Sequence, residues 1–380
     1  MKRLACALAF ALAAAPVSGL LGQDDVPRTR LDDPEASFPE PFSSIEGLRE
    51  FDDGRVMVSD RIEQAVRLID FADGDMRQIG QVGQGPGEYR MPDELLPLPG
   101  DATLLVDFGN MRLTVVSPDG KLTDSEPMVR PEGWFLFPRG TDARGRLYIE
   151  GSSFQLGPGR EPPDSFAISR YDRDGGSVDT VAMLPRAQTG QITMGGGGRG
   201  LSFSGSGASA YQARDAWAVA PDGRVAVARH DPYRIEWLTA DRERIVGPEI
   251  VYEPVEVTEA DKEAWADEMS TGTVVAIGTR GGGGRAMNLP RPDTDEIDFP
   301  ERKPAFPANA VSVTPDGLAW VKRHVAHGRP ETYDVFDAAG RRIKQVVLPE
   351  RRRLVGFGDG TLYAVYIDDD DLQWLERYRR

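Results

Sequence analysis

Three histidines, His230, His324 and His327, and a recurring set of carboxylates are the residues of this chain best suited to chemistry. Asp60, Asp107, Glu150, His230, His324 and Asp368 each follow a short apolar run and open a polar loop. Imidazole nitrogen together with carboxylate oxygen suits a divalent metal, so His230, His324 and His327 form a candidate metal set. No other cofactor is implied. Arginines accompany these loops: Arg61, Arg67, Arg112, Arg234 and Arg323. A guanidinium fork fits a carboxylate or phosphate ligand, and it equally fits neighbouring acids within the same chain. Tyr233 and Tyr333 could wall a pocket or fill gaps in a core. The candidate ligand-binding residues are therefore Asp60, Arg61, Asp107, Arg112, His230, Tyr233, Arg234 and His324.

These residues lie far apart in sequence, so a repeating architecture must gather them. Apolar runs follow a glycine at Gly54, Gly100, Gly145, Gly223, Gly317 and Gly360, with spacings of 46, 45, 78, 94 and 43. Asp–Gly ahead of an alternating run is a hairpin signal, because glycine takes the positive φ such turns need. A second turn signal, at Gly74, Gly120, Gly175, Asp241 and Gly340, follows 18 to 30 residues later. Each unit reads as four antiparallel strands, the pattern of a β-propeller blade. The two long spacings hold insertions near 188–210 and 253–305. The second begins with a capped helix at Thr258, read either as a surface loop or as a lid over one face.

The sixth unit stops at Arg380 before a fourth strand can form. An extended stretch around Val26–Asp33 precedes the first unit. The expected fold is all-β: a six-bladed propeller over 45–380, closed by an N-terminal strand from an arm at 23–44 placed in the last blade. An open sandwich is the alternative. In the propeller, the loops after each second strand share one face around the channel, which would bring the candidate residues together.

Composition narrows the partners. Of 380 residues, glycine (42) and proline (29) make nearly a fifth, which argues against a helical bundle. Lys2 and Arg3, the apolar run 4–15 and small residues after Pro16 describe a secretory signal peptide over 1–22, implying a secreted or periplasmic protein. The run is shorter than the roughly 20 residues of a membrane span. Removing 1–22 moves the net charge from −16 to −18, because it takes away two cations and no acid. An acidic chain is a poor partner for nucleic acid. Cys6, the single cysteine, lies within the same segment, so no disulfide is available to the mature chain. The chain is read as a monomer.

VGQGPGEYRMP (82–92), LLVDFGNMRLTVVSPDG (104–120), AWAVAPDGRVAVARHDPYRIEWL (216–238) and DDDDLQWLERYR (368–379) resemble the secreted six-bladed β-propellers of bacteria, related to the NHL-repeat propellers. The pairs Asp60 with Arg67 and Asp107 with Arg112 are similar to the NHL pattern of a strand-ending aspartate and a strand-opening arginine. His230 and His324 stand near the aspartate position in the fourth and fifth units. The resemblance implies architecture, without an agreed activity. The chain lacks G-x-S-x-G, H-E-x-x-H, a nucleophilic cysteine and a complete EF-hand loop. The glycine cluster Gly83–Gly87 lacks the lysine and helix of a phosphate loop. The expected function is a binding or scaffold module for a protein, peptide or glycan on one face. The alternative is a metal-assisted hydrolase or lyase at the channel mouth.

Overall fold

All six first-turn glycines adopt positive φ, from 68° at Gly360 to 87° at Gly223. That conformation is nearly free to glycine and costly to most other residues. It sets each innermost hairpin of a six-bladed β-propeller. The computed structural model describes residues 26–130, 135–151, 164–186, 210–271, 273–276, 285–288 and 291–380. The segment 1–22 and nearly all of the insertion 188–210 fall outside the described residues. The second turns depart in detail: Gly176 (65°), not Gly175, turns the third blade, and Arg242 (65°), not Asp241, turns the fourth.

Blade 1 comprises Ile45–Glu50, Val56–Asp60, Ala65–Ile69 and Met76–Ile79, and blade 2 Pro92–Pro97, Thr103–Asp107, Arg112–Val116 and Leu122–Pro127. Blade 3 comprises Pro138–Thr141, Leu147–Glu150, Ser165–Tyr171 and Val178–Pro185. Blade 4 comprises Ala216–Val219, Val225–His230, Tyr233–Leu238 and Arg244–Val246. Blade 5 contains Val311–Val313, Ala319–Lys322, Thr332–Phe336 and Arg342–Val347, and blade 6 Arg352–Phe357, Thr361–Ile367 and Gln373–Arg379.

The missing strand of blade 6 comes from the N-terminal arm. Ala36–Ser37 pairs antiparallel with Arg377 and Glu376, and Phe42 bridges to Gln373. The earlier stretch goes elsewhere: Arg28–Arg30 runs parallel to Gln345–Val347 on the outer edge of blade 5. The arm thus covers two outer edges that would otherwise offer unpaired backbone groups.

Second strands such as Val56–Asp60 and Thr103–Asp107 are buried along their whole length. Alternate side chains explain this, because each blade is sandwiched between two others and both its faces are interior. In blade 1, Val56, Val58 and Ile69 pack on Tyr363, Val365 and Leu375 of blade 6. Met57, Val66 and Leu68 point the other way, onto Tyr89, Leu95 and Leu105 around blade 2. Clusters of the same kind fill the junctions of blades 2 and 3, 3 and 4, 4 and 5, and 5 and 6. Each buried Val, Leu or Ile in such a cluster stabilises the ring by about 1.5–3 kcal/mol relative to exposure.

The helix Glu259–Thr271 stands in the insertion after blade 4. Its start is closed by a reciprocal cap: Asp261 Oδ2 accepts from Thr258 N and Oγ1 (2.9 and 2.6 Å), and Asp261 N donates to Thr258 Oγ1 (3.3 Å). The buried Lys303 Nζ then donates to Asp261 Oδ1 (2.6 Å) and to the Val325 carbonyl (2.9 Å). The insertion is anchored to blade 5 through its cap.

Candidate functional site

The face reached by the second-to-third-strand loops is also where the innermost strands begin, because those two strands are antiparallel. Two sets of side chains therefore meet there, one from the loops and one from the inner-strand openings.

In blades 1 and 2 the loop carboxylates are consumed by the backbone. Asp60 Oδ2 accepts from Ser43 N and Ser44 N (2.8 and 3.2 Å), and Oδ1 from Glu63 N (3.0 Å). Asp107 Oδ1 accepts from Arg90 N, Met91 N and Asn110 N, and Oδ2 from Asn110 Nδ2 (2.7 Å). Both residues are buried, so these two candidates hold the entry to an inner strand and leave no oxygen for a ligand. Arg112 donates to the carbonyls of Gln84, Gly85 and Glu88 and lies 3.6 Å from Asp107. It ties down the Gly83–Gly87 connection. Arg234 pairs with Glu236 (2.9 Å), and Arg323 with Asp334 (2.7 Å). Tyr233 is buried between blades and donates its hydroxyl to Asp334 (2.9 Å). Burial, reinforced by Asp334, pushes that phenol far above its ordinary range.

Arg61 alone among the candidates of blades 1 and 2 reaches the channel, pairing with Glu46 (3.0 Å) and Asp93 (3.2 Å) from two inner-strand openings. Loss of bulk solvation pushes both carboxyls up, against the pull of Arg61. Glu94 goes furthest. It is open to the channel water but surrounded by protein, and that enclosure lifts its carboxyl to about 7. Asp93 adds repulsion, Arg139 opposes it, and Glu46 and Arg61 contribute less. Blades 1 and 2 thus give the mouth an acidic side whose three carboxyls are all pushed up, Glu94 furthest.

The opposite side is built from imidazole and arginine. His230 Nδ1 lies 2.8 Å from Asp215 Oδ1, and the same oxygen accepts from His230 N (3.1 Å). Arg229 Nη1 holds Asp215 Oδ2 (2.5 Å). An ionised Asp215 selects the Nδ1–H tautomer and leaves Nε2 of His230 with its lone pair. His324 Nδ1 donates to the Pro304 carbonyl (2.9 Å), and its ring stands edge-on to Tyr211 at 5.4 Å. Burial lowers His324 to about 4, helped by Lys303, Lys322 and Arg323 and opposed by the Pro304 bond. His327 is exposed on the following loop.

His230 opens onto a cleft of about 800 Å³ between blade 4 and the insertion. Tyr211, Tyr252, Ile250, Val251, Pro232 and Pro300 wall it, and Lys303 reaches its far edge. Val251 is 74% exposed there. His324 lies beyond Tyr211, outside the cleft wall. No three His, Cys, Asp or Glu side chains gather as a metal site among the described residues. His230 and His324 each turn Nδ1 to a protein acceptor, Asp215 and the Pro304 carbonyl, and of the two only His230 lines the cleft. Asp215, Glu46, Asp93, Glu94, Arg139 and Arg214 are the site residues that sequence reasoning missed. Their shared signal is a charged residue just before or at the opening of an inner strand.

The fold and the mouth together define a six-bladed propeller with a charge-divided channel entrance and a lateral cleft. No protein-family model matches the chain, and no curated protein matches it. Among solved structures it is similar to a gluconolactonase from Xanthomonas campestris, with 13% identity over 93% of this chain and 95% of that one, at a TM-score of 0.44. It is similar at 11% identity to a putative exported protein from Bacteroides fragilis (93% and 99% covered, TM-score 0.44). A calcium-binding regucalcin from Agrobacterium tumefaciens shares 12% identity (93% and 97% covered, TM-score 0.40).

Proposed function

We propose that the protein is an exported propeller that binds a peptide or glycan chain in the lateral cleft beside the channel mouth. The observation that carries this reading is the cleft itself. Its volume of about 800 Å³ lies in the range of ligand sites, and its tyrosine and proline walls suit flat or extended ligands. Polar groups at the edges, from His230 to Lys303, would fix orientation. Export rests on the segment 1–22 and is checked by N-terminal sequencing of the mature chain from a periplasmic or culture fraction.

A second reading has its own support. Asp215 holds Nδ1 of His230, a residue that lines the cleft, and leaves Nε2 without a protein partner, an arrangement that serves a general base in a hydrolase or lyase. Asp215 would hold the ring and stabilise the imidazolium formed, while Nε2 takes the proton. No step is routed through a metal.

One calorimetric titration against a panel of short proline-containing peptides and neutral oligosaccharides tests both. Tyr252→Ala and Val251→Asp should each weaken binding about tenfold, the loss of one well-buried contact. A panel without a binder, or variants that bind unchanged, would overturn the cleft reading. Turnover of a bound member that vanishes in His230→Ala while binding stays would establish the second reading; binding without turnover would remove it.

A further inference from the structure

Two arginines at the channel mouth converge on one neutral acceptor. Arg139 Nη2, from the inner strand of blade 3, donates to Asn309 Oδ1 (3.1 Å), and Arg214 Nη2, just ahead of blade 4, donates to the same oxygen (3.3 Å). Asn309 itself precedes the inner strand of blade 5, so three blades meet at this atom. An amide oxygen offers no full charge to offset two guanidinium groups, and neither arginine pairs with a described carboxylate.

The same place holds donors with nothing to donate to. Arg214 Nε is buried and has no hydrogen-bond partner among the described residues, and neither does the indole Nε1 of Trp217, a residue only 3% exposed. A buried donor left unpaired costs about 1–3 kcal/mol, and native structures rarely keep one without a reason. Both residues, with Arg139, Arg186 and Asn309, wall a cavity of about 40 Å³. Two acids also touch it. Asp215 is already taken by Arg229 and His230, which leaves Glu150 as the remaining negative charge. Burial lowers Arg214, and the repulsion of Arg139 and Arg186 works in the same direction against the attraction of Glu150.

We propose that this cavity is a carboxylate-binding subsite, in which Arg139 and Arg214 grip the acid group of a ligand whose remaining atoms extend into the channel mouth. The volume has room for one small oxyanion group, and two guanidinium groups supply the paired N–H donors that a carboxylate accepts best. The ligand class is a small organic acid, either a sugar acid or an acylated acidic amino acid. Asp215 lines the subsite and bonds His230, which lines the lateral cleft, but the subsite does not depend on what fills that cleft.

The test titrates the full mature chain with acetate, D-glucuronate and N-acetylglutamate amide, with glucose and inorganic phosphate as comparison arms. Binding is followed by the tryptophan indole and arginine Nε resonances in NMR. The Trp217 indole and Arg214 Nε signals should move with the carboxylates and stay still with glucose. The tighter of glucuronate and N-acetylglutamate amide identifies the source of the acid. Arg139→Gln and Arg214→Gln should each weaken the tighter carboxylate at least tenfold, while Arg329→Gln on an exposed loop leaves it unchanged. If either arginine variant fails to fold, the wild-type resonances still decide the question. Unmoved signals at both reporters, equal response to glucose, or a response to phosphate alone would each overturn the carboxylate assignment.

Discussion

From one repeat position, blades 1, 2 and 4 anchor the entry to an inner strand and blade 5 anchors the end of the insertion at Pro304, blades 4 and 5 with the opposite polarity to blades 1 and 2. Asp60 and Asp107 accept backbone N–H groups, and both oxygens of each are used. His230 and His324 donate instead, to the Asp215 carboxylate and to the Pro304 carbonyl. A carboxylate in this role is fully occupied, whereas an imidazole uses one nitrogen and keeps the other. At these four positions the repeat leaves a ring nitrogen unspent where histidine stands and no free oxygen where aspartate stands. The lateral cleft lies on the histidine side, and the arginine-walled cavity lies where blades 3, 4 and 5 meet.

The largest expected effect tests this division directly. Asp107→Ala strips acceptors from three backbone N–H groups and the Asn110 amide in a fully buried setting. It should cost about 3–5 kcal/mol, read as a lowered urea midpoint with an unchanged slope. His230→Ala should cost only about 1 kcal/mol, because the imidazole is 35% exposed and Asp215 keeps Arg229. Equal losses in the two variants would mean that both positions are structural, and the contrast between the blade pairs would collapse.

Much of this was readable in the sequence because it is local. Gly54, Gly74, Gly120 and Gly340 turn where their Asp–Gly or Gly signals stand, and the helix begins at its Thr258 cap. The arginine pairs of blades 1 and 2 follow from the same repeat. The channel mouth was not readable, since Glu46, Asp93, Glu94, Arg139 and Arg214 meet only through ring closure. Their place at an inner-strand opening is the one local signal they share, and it does not tell which blades they would bring together. The stretch around Val26–Asp33 reads as extended, but its place on the edge of blade 5 was not readable, for a related reason. A three-residue exposed strand has no apolar alternation, and its partner is chosen by where the arm passes, not by its own residues.

A smaller effect separates the histidine side by pH. His324 is lowered to about 4 against an ordinary value near 6.5, so between these limits the unfolded chain binds the extra proton. Its contribution is present above about pH 6.5 and is lost as pH falls toward 4, by roughly 2–3 kcal/mol. His324→Gln keeps an N–H for the Pro304 carbonyl and removes the titration. Urea unfolding of both chains from about pH 7 to about pH 4.5 should show the wild type losing more than the variant. Parallel curves would mean that His324 is solvated, and that blade 5 lacks the neutral imidazole on which the contrast rests.

The smallest effect lies across the channel and carries the opposite sign. Glu94 is raised to about 7, so below that pH the folded chain holds a proton that the unfolded chain releases above about 4.5. Its contribution is therefore most favourable at low pH and is lost as pH rises through about 7. Glu94→Gln imitates the protonated acid and should gain on the wild type as pH rises from about 4.5 to about 7, by a modest margin because the carboxyl is exposed to solvent. Arg139→Gln should widen that gain, since Arg139 is the strongest attraction holding the Glu94 charge. If the two chains instead run together over this range, Glu94 is an ordinary solvated acid. The mouth would then be divided by charge alone, with no proton held on its acidic side.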